Sequence, residues 1–287
     1  MRNLSFNLYG GIFLAGILYV VGTPIGNLGD ISPRALKCLE DCDFIAAEDT
    51  RVTIRLLNHF NIKKPLISYH EHNRFERGGY IAERLLNGES CALVTDAGMP
   101  AISDPGFDLV KLCGESGVKV SCVPGPSALA SALAISGIEA GRFSFEGFLT
   151  QNKPKRREHL SEMKNEKKTM ILYEAPHKLS ATLRDLAGTL GDRNIALVKE
   201  LTKIYEGVER TSLFEAAAKY EEQKPRGEYV IIIEAAPKES PEEEHTLDEA
   251  VKTARELMDA GLAASAAAKQ AAGLTGYKKG DIYKNII

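Results

Sequence analysis

The 287 residues are 44% hydrophobic and 26% charged, a balance that supports about two globular cores and excludes disorder, collagen-like repeats and a small disulfide scaffold. Lys and Arg number 36 and Asp and Glu 39, so the net charge of -3 gives no global pull toward nucleic acid. Any RNA-binding surface has to be a local basic patch.

Between Asn3 and Asn27 there is no charged residue, and 4–21 is apolar enough to raise a signal peptide or membrane anchor. Asn7, Gly10, Gly11 and Gly16 interrupt that stretch, only Arg2 gives it a positive flank, and no small-residue cleavage site follows. Its end is also needed by the fold, because 17–21 runs into a Gly/Pro turn as a buried first strand. Residues 1–16 are therefore read as an extension or a misplaced start, with no membrane role. Strand-like runs follow at 44–47, 66–69, 91–95 and 118–123, each separated by enough chain for a crossover helix, which is the pattern of a parallel βαβ sheet. Ser32-Pro33 marks a helix start, an N-cap followed by Pro at the first turn, and Ser103-Asp104-Pro105 reads as the same device.

A second unit begins near Gly141, with strand-like runs at 143–149, 169–174, 195–198, 205–210 and 229–234 interleaved with helical stretches. The expected organisation is an N-terminal α/β domain over 17–138, a second α/β domain over 139–236, a Pro-bearing charged linker PKESPEEEH over 237–245, and a helical tail over 246–287. The five cysteines, Cys38, Cys42, Cys91, Cys113 and Cys122, form an odd set mostly inside apolar runs, as reduced thiols of a cytoplasmic protein do. Cys38 and Cys42 share a helix face, but without a paired CxxC or a His cluster they read as packing, not zinc ligands.

In an open parallel sheet, ligands bind beyond the carboxyl ends of the strands, so the loops there are informative. The first, Gly22-Thr-Pro-Ile-Gly26, puts Pro24 and Ile25 where a dinucleotide cradle needs glycine, and no Lys follows Gly26 as a Walker loop requires. Glu48 sits where a ribose-binding acid of a dehydrogenase would lie, which keeps that reading as a rival. After 91–95 come Asp96-Ala-Gly98-Met99-Pro100 and then Ser103-Asp104-Pro105-Gly106, and after 118–123 comes Pro124-Gly-Pro-Ser127-Ala128. Each alone is an ordinary tight turn. Together, with Asp96 as an acceptor and amides at a helix start near Ser127, they favour a nucleoside-like ligand.

The ordered set LYVVGTPIGNLGDIS (18–32), AAEDTR (46–51), SYHEHN (68–73), VTDAGMPAISDPG (94–106), VPGPSA (123–128), FEGFL (145–149), LYEAPHK (172–178), KELTK (199–203) and GEYVIIIE (227–234) resembles the ribosomal RNA small subunit methyltransferase I family. The resemblance spans about 17–236 in collinear order, plus the tail. It implies the α/β fold of the tetrapyrrole methylase class, with two α/β domains, a cofactor cleft between them and a helical tail. It implies S-adenosylmethionine as cofactor, 2'-O-methylation of a cytidine ribose in the decoding region of 16S ribosomal RNA, and a homodimer. By the same resemblance Ile25, Asp96, Met99, Ser127, Ala128 and Tyr173 fall at cofactor-lining positions. The chain departs from the family pattern in the apolar character of its leader and in Lys178, where Arg is expected.

Methyl transfer to a ribose hydroxyl is mostly positioning, with a base needed only to remove the hydroxyl proton. Glu48, Asp49, Glu174 and Lys199 are the candidates, and each could equally be a structural ion pair or helix cap. His70 and His72 lack a third ligand at recognisable spacing, so a polar loop facing the substrate is the better reading than a metal site. For RNA, residues 151–168 carry seven basic against three acidic residues, and Lys155, Arg156 and Arg157 are the contacts expected there, with Arg51 and Lys203 nearer the cleft. Lys278, Lys279 and Lys284 with Tyr277 and Tyr283 add a weaker RNA-contact candidate in the tail. The rivals are methylation of a small molecule such as a tetrapyrrole by the same fold, a nucleotide-dependent oxidoreductase, and a ribosome-binding protein without turnover.

Overall fold

The computed structural model describes residues 4–6, 12–236 and 246–287, and separates into two compact units, Met1–Ala235 and Ala236–Ile287. The expected linker at 237–245 lies outside the described residues. A two-stranded antiparallel ribbon, β1 (Leu4–Phe6) with β2 (Ile12–Leu14), falls within the expected extension.

The first half of the larger unit alternates strand and helix: β3 (Ile17–Val21), α1 (Pro33–Asp41), β4 (Phe44–Ala47), α2 (Thr50–His59), β5 (Leu66–Ser68), α3 (Arg74–Leu86), β6 (Cys91–Val94), α4 (Phe107–Glu115), β7 (Lys119–Val123) and α5 (Ala128–Ser136). The five strands from β3 to β7 form one parallel sheet in the order β5-β4-β6-β3-β7. Successive side chains of a strand point to opposite faces, and the sheet buries both. Phe44, Ala46, Cys91 and Leu93 pack against Ile81 and Leu85 of α3 and Leu109 of α4. Ile45, Ala47, Ala92 and Val94 pack against Ala35 and Leu39 of α1 and Leu57 of α2. Burial on both faces is why these strands are continuous apolar runs rather than alternating ones. Ser32 caps α1 as expected, accepting from the Ala35 N–H at 3.1 Å with Pro33 at the first helical position.

The second half comprises β8 (Phe143–Phe148), α6 (Lys153–Met163), β9 (Thr169–Glu174), α7 (Pro176–Leu190), β10 (Asn194–Lys199), β11 (Gly207–Ser212), α8 (Leu213–Glu222) and β12 (Tyr229–Ile233). Its sheet runs β11-β10-β12-β9-β8, with only β8 and β9 parallel. One face is covered by α6, α7 and α8 through Leu160, Leu183, Leu186 and Leu213. The other is sealed by α5, whose Ala132 and Leu133 pack on Ile171, Ala196, Val198 and Ile232. Arg210 of β11 closes the end of α5, donating to the carbonyls of Ser136 and Ile135 at 2.7 Å each. A helix that follows the first sheet in sequence thus completes the core of the second, which is why both sheets fall in one compact unit.

Two sequence expectations are corrected. The Ser103-Asp104-Pro105 segment does not start a helix: α4 begins at Phe107 after Gly106, and Ser103 sits in the left-handed region at φ 65° with Ala101 at φ 67°. Cys122 is exposed, although Cys42, Cys91 and Cys113 are buried. Burial pushes the thiols of Cys38 and Cys113 up to about 12 and about 11. In the smaller unit, α9 (Leu247–Asp259), α10 (Ala264–Thr275) and α11 (Lys279–Ile286) pack through Ala250, Ala254, Ala268, Ala271 and Ile282. The small alanines allow close helix approach, and Thr246 with Glu249 forms a capping box at the start of α9. Among the described residues no helix is long and apolar enough to cross a membrane.

Candidate functional site

The strand ends of the first sheet meet those of the second around a cavity of about 540 Å³. Its floor is three loops held together by backbone. Thr23, 1% exposed, exchanges N–H to carbonyl bonds with Gly98 at 2.9 and 3.1 Å, and its hydroxyl donates to the Thr95 carbonyl at 3.1 Å. Gly98 turns the Asp96–Pro100 loop at φ 88°, a conformation that costs glycine little. Gly22 and Gly125 touch: a Cβ on Gly22 would lie 2.7 Å from the Gly125 backbone and from the Met99 sulfur, so neither loop tolerates a side chain there.

On this floor stand three carboxylates, Glu48 and Asp104 half-buried and Asp96 more exposed. Glu48 directly follows β4 and accepts from the Asp96 N–H at 3.3 Å, while Asp96 accepts from the Asp49 N–H at 3.2 Å. Burial raises the pKa of Glu48 and of Asp96, and the charges of neighbouring acids add to both shifts. Asp104, read from sequence as part of a helix start, lines the same cavity. Burial, with the repulsion of Glu48 and Asp96, pushes it up to about 7. The sequence marks its turn as one of three that favour a ligand but does not single out Asp104, because Ser-Asp-Pro is also the common signature of a capped helix; the left-handed backbone at Ala101 and Ser103 is visible only in three dimensions.

The opposite wall comes from the second sheet. Tyr173 of β9 is gripped edge-on by Phe145 and Phe148, at 4.9 and 5.6 Å between ring centres, and its hydroxyl accepts from the Leu129 N–H in the first turn of α5 at 2.9 Å. Val198, Leu201 and Tyr229 extend this wall and were not singled out from sequence, since each reads as core. Glu174, 4% exposed, accepts from the Ala175 N–H at 2.9 Å and from the Thr182 hydroxyl.

All six positions marked from sequence for a cofactor, Ile25, Asp96, Met99, Ser127, Ala128 and Tyr173, line this one cavity, together with Glu48 and Glu174. The others lie elsewhere. Asp49 caps α2 through the Arg51 N–H at 2.8 Å and binds the Arg51 guanidinium; these hydrogen bonds hold its carboxyl down to about 2, where it is a poor proton acceptor at neutral pH. Lys199 ends β10 outside the cavity lining. Arg51 is exposed apart from that pair, and Lys203 binds Glu200 at 3.1 Å and Glu228 at 3.0 Å. Lys155 and Arg157 are exposed on α6, but Arg156 is only 16% exposed and donates to Asp185 at 2.7 Å and to Thr182 at 2.9 Å. His70 and His72 stack edge-on at 5.9 Å before α3.

Residues 17–217 match the family model described as Tetrapyrrole (Corrin/Porphyrin) Methylases. The chain is 47% identical over 274 residues to ribosomal RNA small subunit methyltransferase I of Synechocystis sp., covering 94% of this chain and 96% of that protein. The protein of the same name from Thermotoga maritima is 47% identical over 218 residues, covering 76% of this chain and 98% of that protein. The chain belongs to the ribosomal RNA small subunit methyltransferase I family. It is a methyltransferase with the tetrapyrrole methylase fold. A cobalt precorrin-4 methyltransferase superposes with a TM-score of 0.56 at 20% identity, over 76% of this chain and 94% of that one. Diphthine synthase does so with a TM-score of 0.58 at 15% identity, over 77% and 90%. At these identities the superpositions speak to fold alone.

Proposed function

We propose that this member of the family transfers the methyl group of S-adenosylmethionine to the 2'-hydroxyl of a cytidine ribose in the decoding region of 16S ribosomal RNA. The reading includes a homodimer acting in the cytoplasm, where small ribosomal subunits are. The observation that carries it is the convergence of the six cofactor positions on one cavity, in a chain whose relatives bear the name of a ribosomal RNA methyltransferase.

The residues present fit the cofactor. A volume of about 540 Å³ lies within the common range for nucleoside-sized ligands. Asp96 offers acceptors to ribose hydroxyls or an ammonium, the backbone around Ser127 and Ala128 allows close approach of a flat base, and Ile25, Met99 and Tyr173 supply apolar walls. When bound, S-adenosylmethionine supplies a sulfonium methyl group that an oxygen nucleophile can displace in line. The protein's own work is to hold the acceptor hydroxyl in register, to exclude water with the Tyr173 and Phe148 wall, and to receive one proton. Glu48 and Asp104 are the cavity carboxylates suited to receiving that proton, since burial raises the proton affinity of both and Asp104 at about 7 is matched to neutral pH. Glu174 is already committed to Ala175 and Thr182, which suits a positioning role.

The test is to incubate the protein with labelled S-adenosylmethionine and small ribosomal subunits from a methylation-deficient strain, digest the RNA and identify methylated nucleosides by mass spectrometry. A gain of 2'-O-methylcytidine is expected. Cofactor binding without transfer to RNA would overturn the acceptor and favour a small molecule, and light scattering checks the dimer separately.

A further inference from the structure

A second large concavity, of about 950 Å³, lies between α6 and α7. Its charge is one-sided: Lys153, Arg156, Arg157, Lys178 and Arg184 face a single acid, Asp185. Arg156 is matched by Asp185 and Arg184 by Glu221. Among the described residues, Lys153, Arg157 and Lys178 have no carboxylate partner within ion-pair distance, in a chain whose net charge is -3. Three unmatched cations in one groove cost electrostatic energy through mutual repulsion, and the groove relieves it when an anion enters.

This groove adjoins the cofactor cavity. His177 lines both. Below it, the Arg156 guanidinium donates to Thr182 on the groove floor, and Thr182 donates to Glu174 on the cavity wall. Resting on the proposed RNA methylation, we infer that the α6–α7 groove is the track for a single strand of the substrate RNA. Lys153, Arg157 and Lys178 take its phosphates, and His177 marks the point at which the strand enters the cavity. Arg156, tied down by Asp185 and Thr182, shapes the groove floor instead of gripping phosphate. Its position beside the cavity selects RNA over another polyanion, because only a nucleotide chain that follows this path delivers a ribose to the methyl donor. The groove also adds a contact from α7, Lys178, that the basic run on α6 does not contain.

The experiment uses the full chain carrying K153E, R157E and K178E together, beside a control carrying K63E, K119E and K224E at exposed lysines without ion pairs. Binding to small ribosomal subunits from the methylation-deficient strain is followed across salt concentrations, and S-adenosylmethionine affinity by calorimetry reports whether the fold is intact. The expected result is an affinity for subunits at least about tenfold weaker, and a plot of log K against log salt shallower by about 2, for three lost single-strand phosphate contacts. Cofactor affinity and the control stay at wild-type values. Unchanged subunit affinity and salt slope in the groove variant overturn the track while leaving the proposed methylation standing. If the wild-type protein binds cofactor but neither binds nor methylates the RNA, the acceptor reading fails and the track with it. If a polyglutamate peptide displaces RNA from the wild type at equal charge concentration, the groove is a general polyanion site and the inference is overturned.

Discussion

Replacing Asp104 by Asn tests the electrostatics of the cavity most directly, because the two side chains have nearly the same shape and differ in charge. In the folded protein burial, with Glu48 and Asp96 nearby, raises this carboxyl from its ordinary 3.8 to about 7. The folded-state pKa lies above the unfolded one. Below about pH 4 both states are protonated and the group has no effect. As pH rises from 4 toward 7 the unfolded chain releases the proton first, so wild-type stability falls; above 7 the penalty is constant. Its ceiling is about 4 kcal/mol, at about 1.4 kcal/mol for each tenfold change in proton affinity. Because Asp104 is only half-buried, solvent screening reduces this to about 2 kcal/mol. Asp104→Asn should therefore match wild type near pH 4 and be more stable by about 2 kcal/mol at pH 8, raising Tm by about 4–8 °C for a unit of this size. Urea denaturation followed by circular dichroism from pH 4 to 8 measures the gap. A gap that does not change with pH, or a variant less stable at pH 8, would refute the account. If Asp104 also receives the hydroxyl proton, the stabilised variant loses methyl transfer, a separation of stability from activity that a purely structural residue does not show.

Three further outcomes are expected. Gly22→Ala and Gly125→Ala each force a Cβ to 2.7 Å from the other loop's backbone, so each should lower stability by more than about 2 kcal/mol, and the double variant should cost less than the sum, because both act on one contact. Thermal denaturation of the three variants gives the coupling, and strict additivity would mean that the loops do not meet. Arg156→Ala unpairs Asp185 and Thr182 and should cost about 1–2 kcal/mol of stability with little change in the salt slope of RNA binding, whereas Arg157→Ala should do the reverse. Equal salt slopes for the two would erase that distinction. Asp96→Ala should weaken S-adenosylmethionine by about tenfold or more in calorimetry, the loss of a charged acceptor; wild-type affinity would remove Asp96 from the site.

Much of the architecture was legible in the sequence. The runs at 17–21 and 44–47 are the observed strands to the residue, because a strand buried on both faces must be apolar throughout; Gly16 and Gly22 delimit the first, and the acids Asp43 and Glu48 the second. Ser32-Pro33 capped a helix as its local chemistry demands. The six positions marked for a cofactor converge on one cavity because the loops that carry them all leave the same edge of the first sheet or face it from the second. Asp104 and Arg156 were not legible, and for one reason. Ser-Asp-Pro and a basic helical run have ordinary local meanings, a helix cap and a solvated face, and what overrides them comes from partners distant in the chain. Burial in the cavity, with the charges of Glu48 and Asp96, raises Asp104, and Asp185 with Thr182 draws Arg156 inward. Most strands, most helices and the loops that bear chemistry can be read from the chain alone, since burial and turn geometry act over a few residues. Which carboxylates share a cavity, that α5 completes the second sheet, and that a groove of unmatched cations opens beside the cavity emerge in three dimensions alone, because charge interaction and packing depend on distance in space.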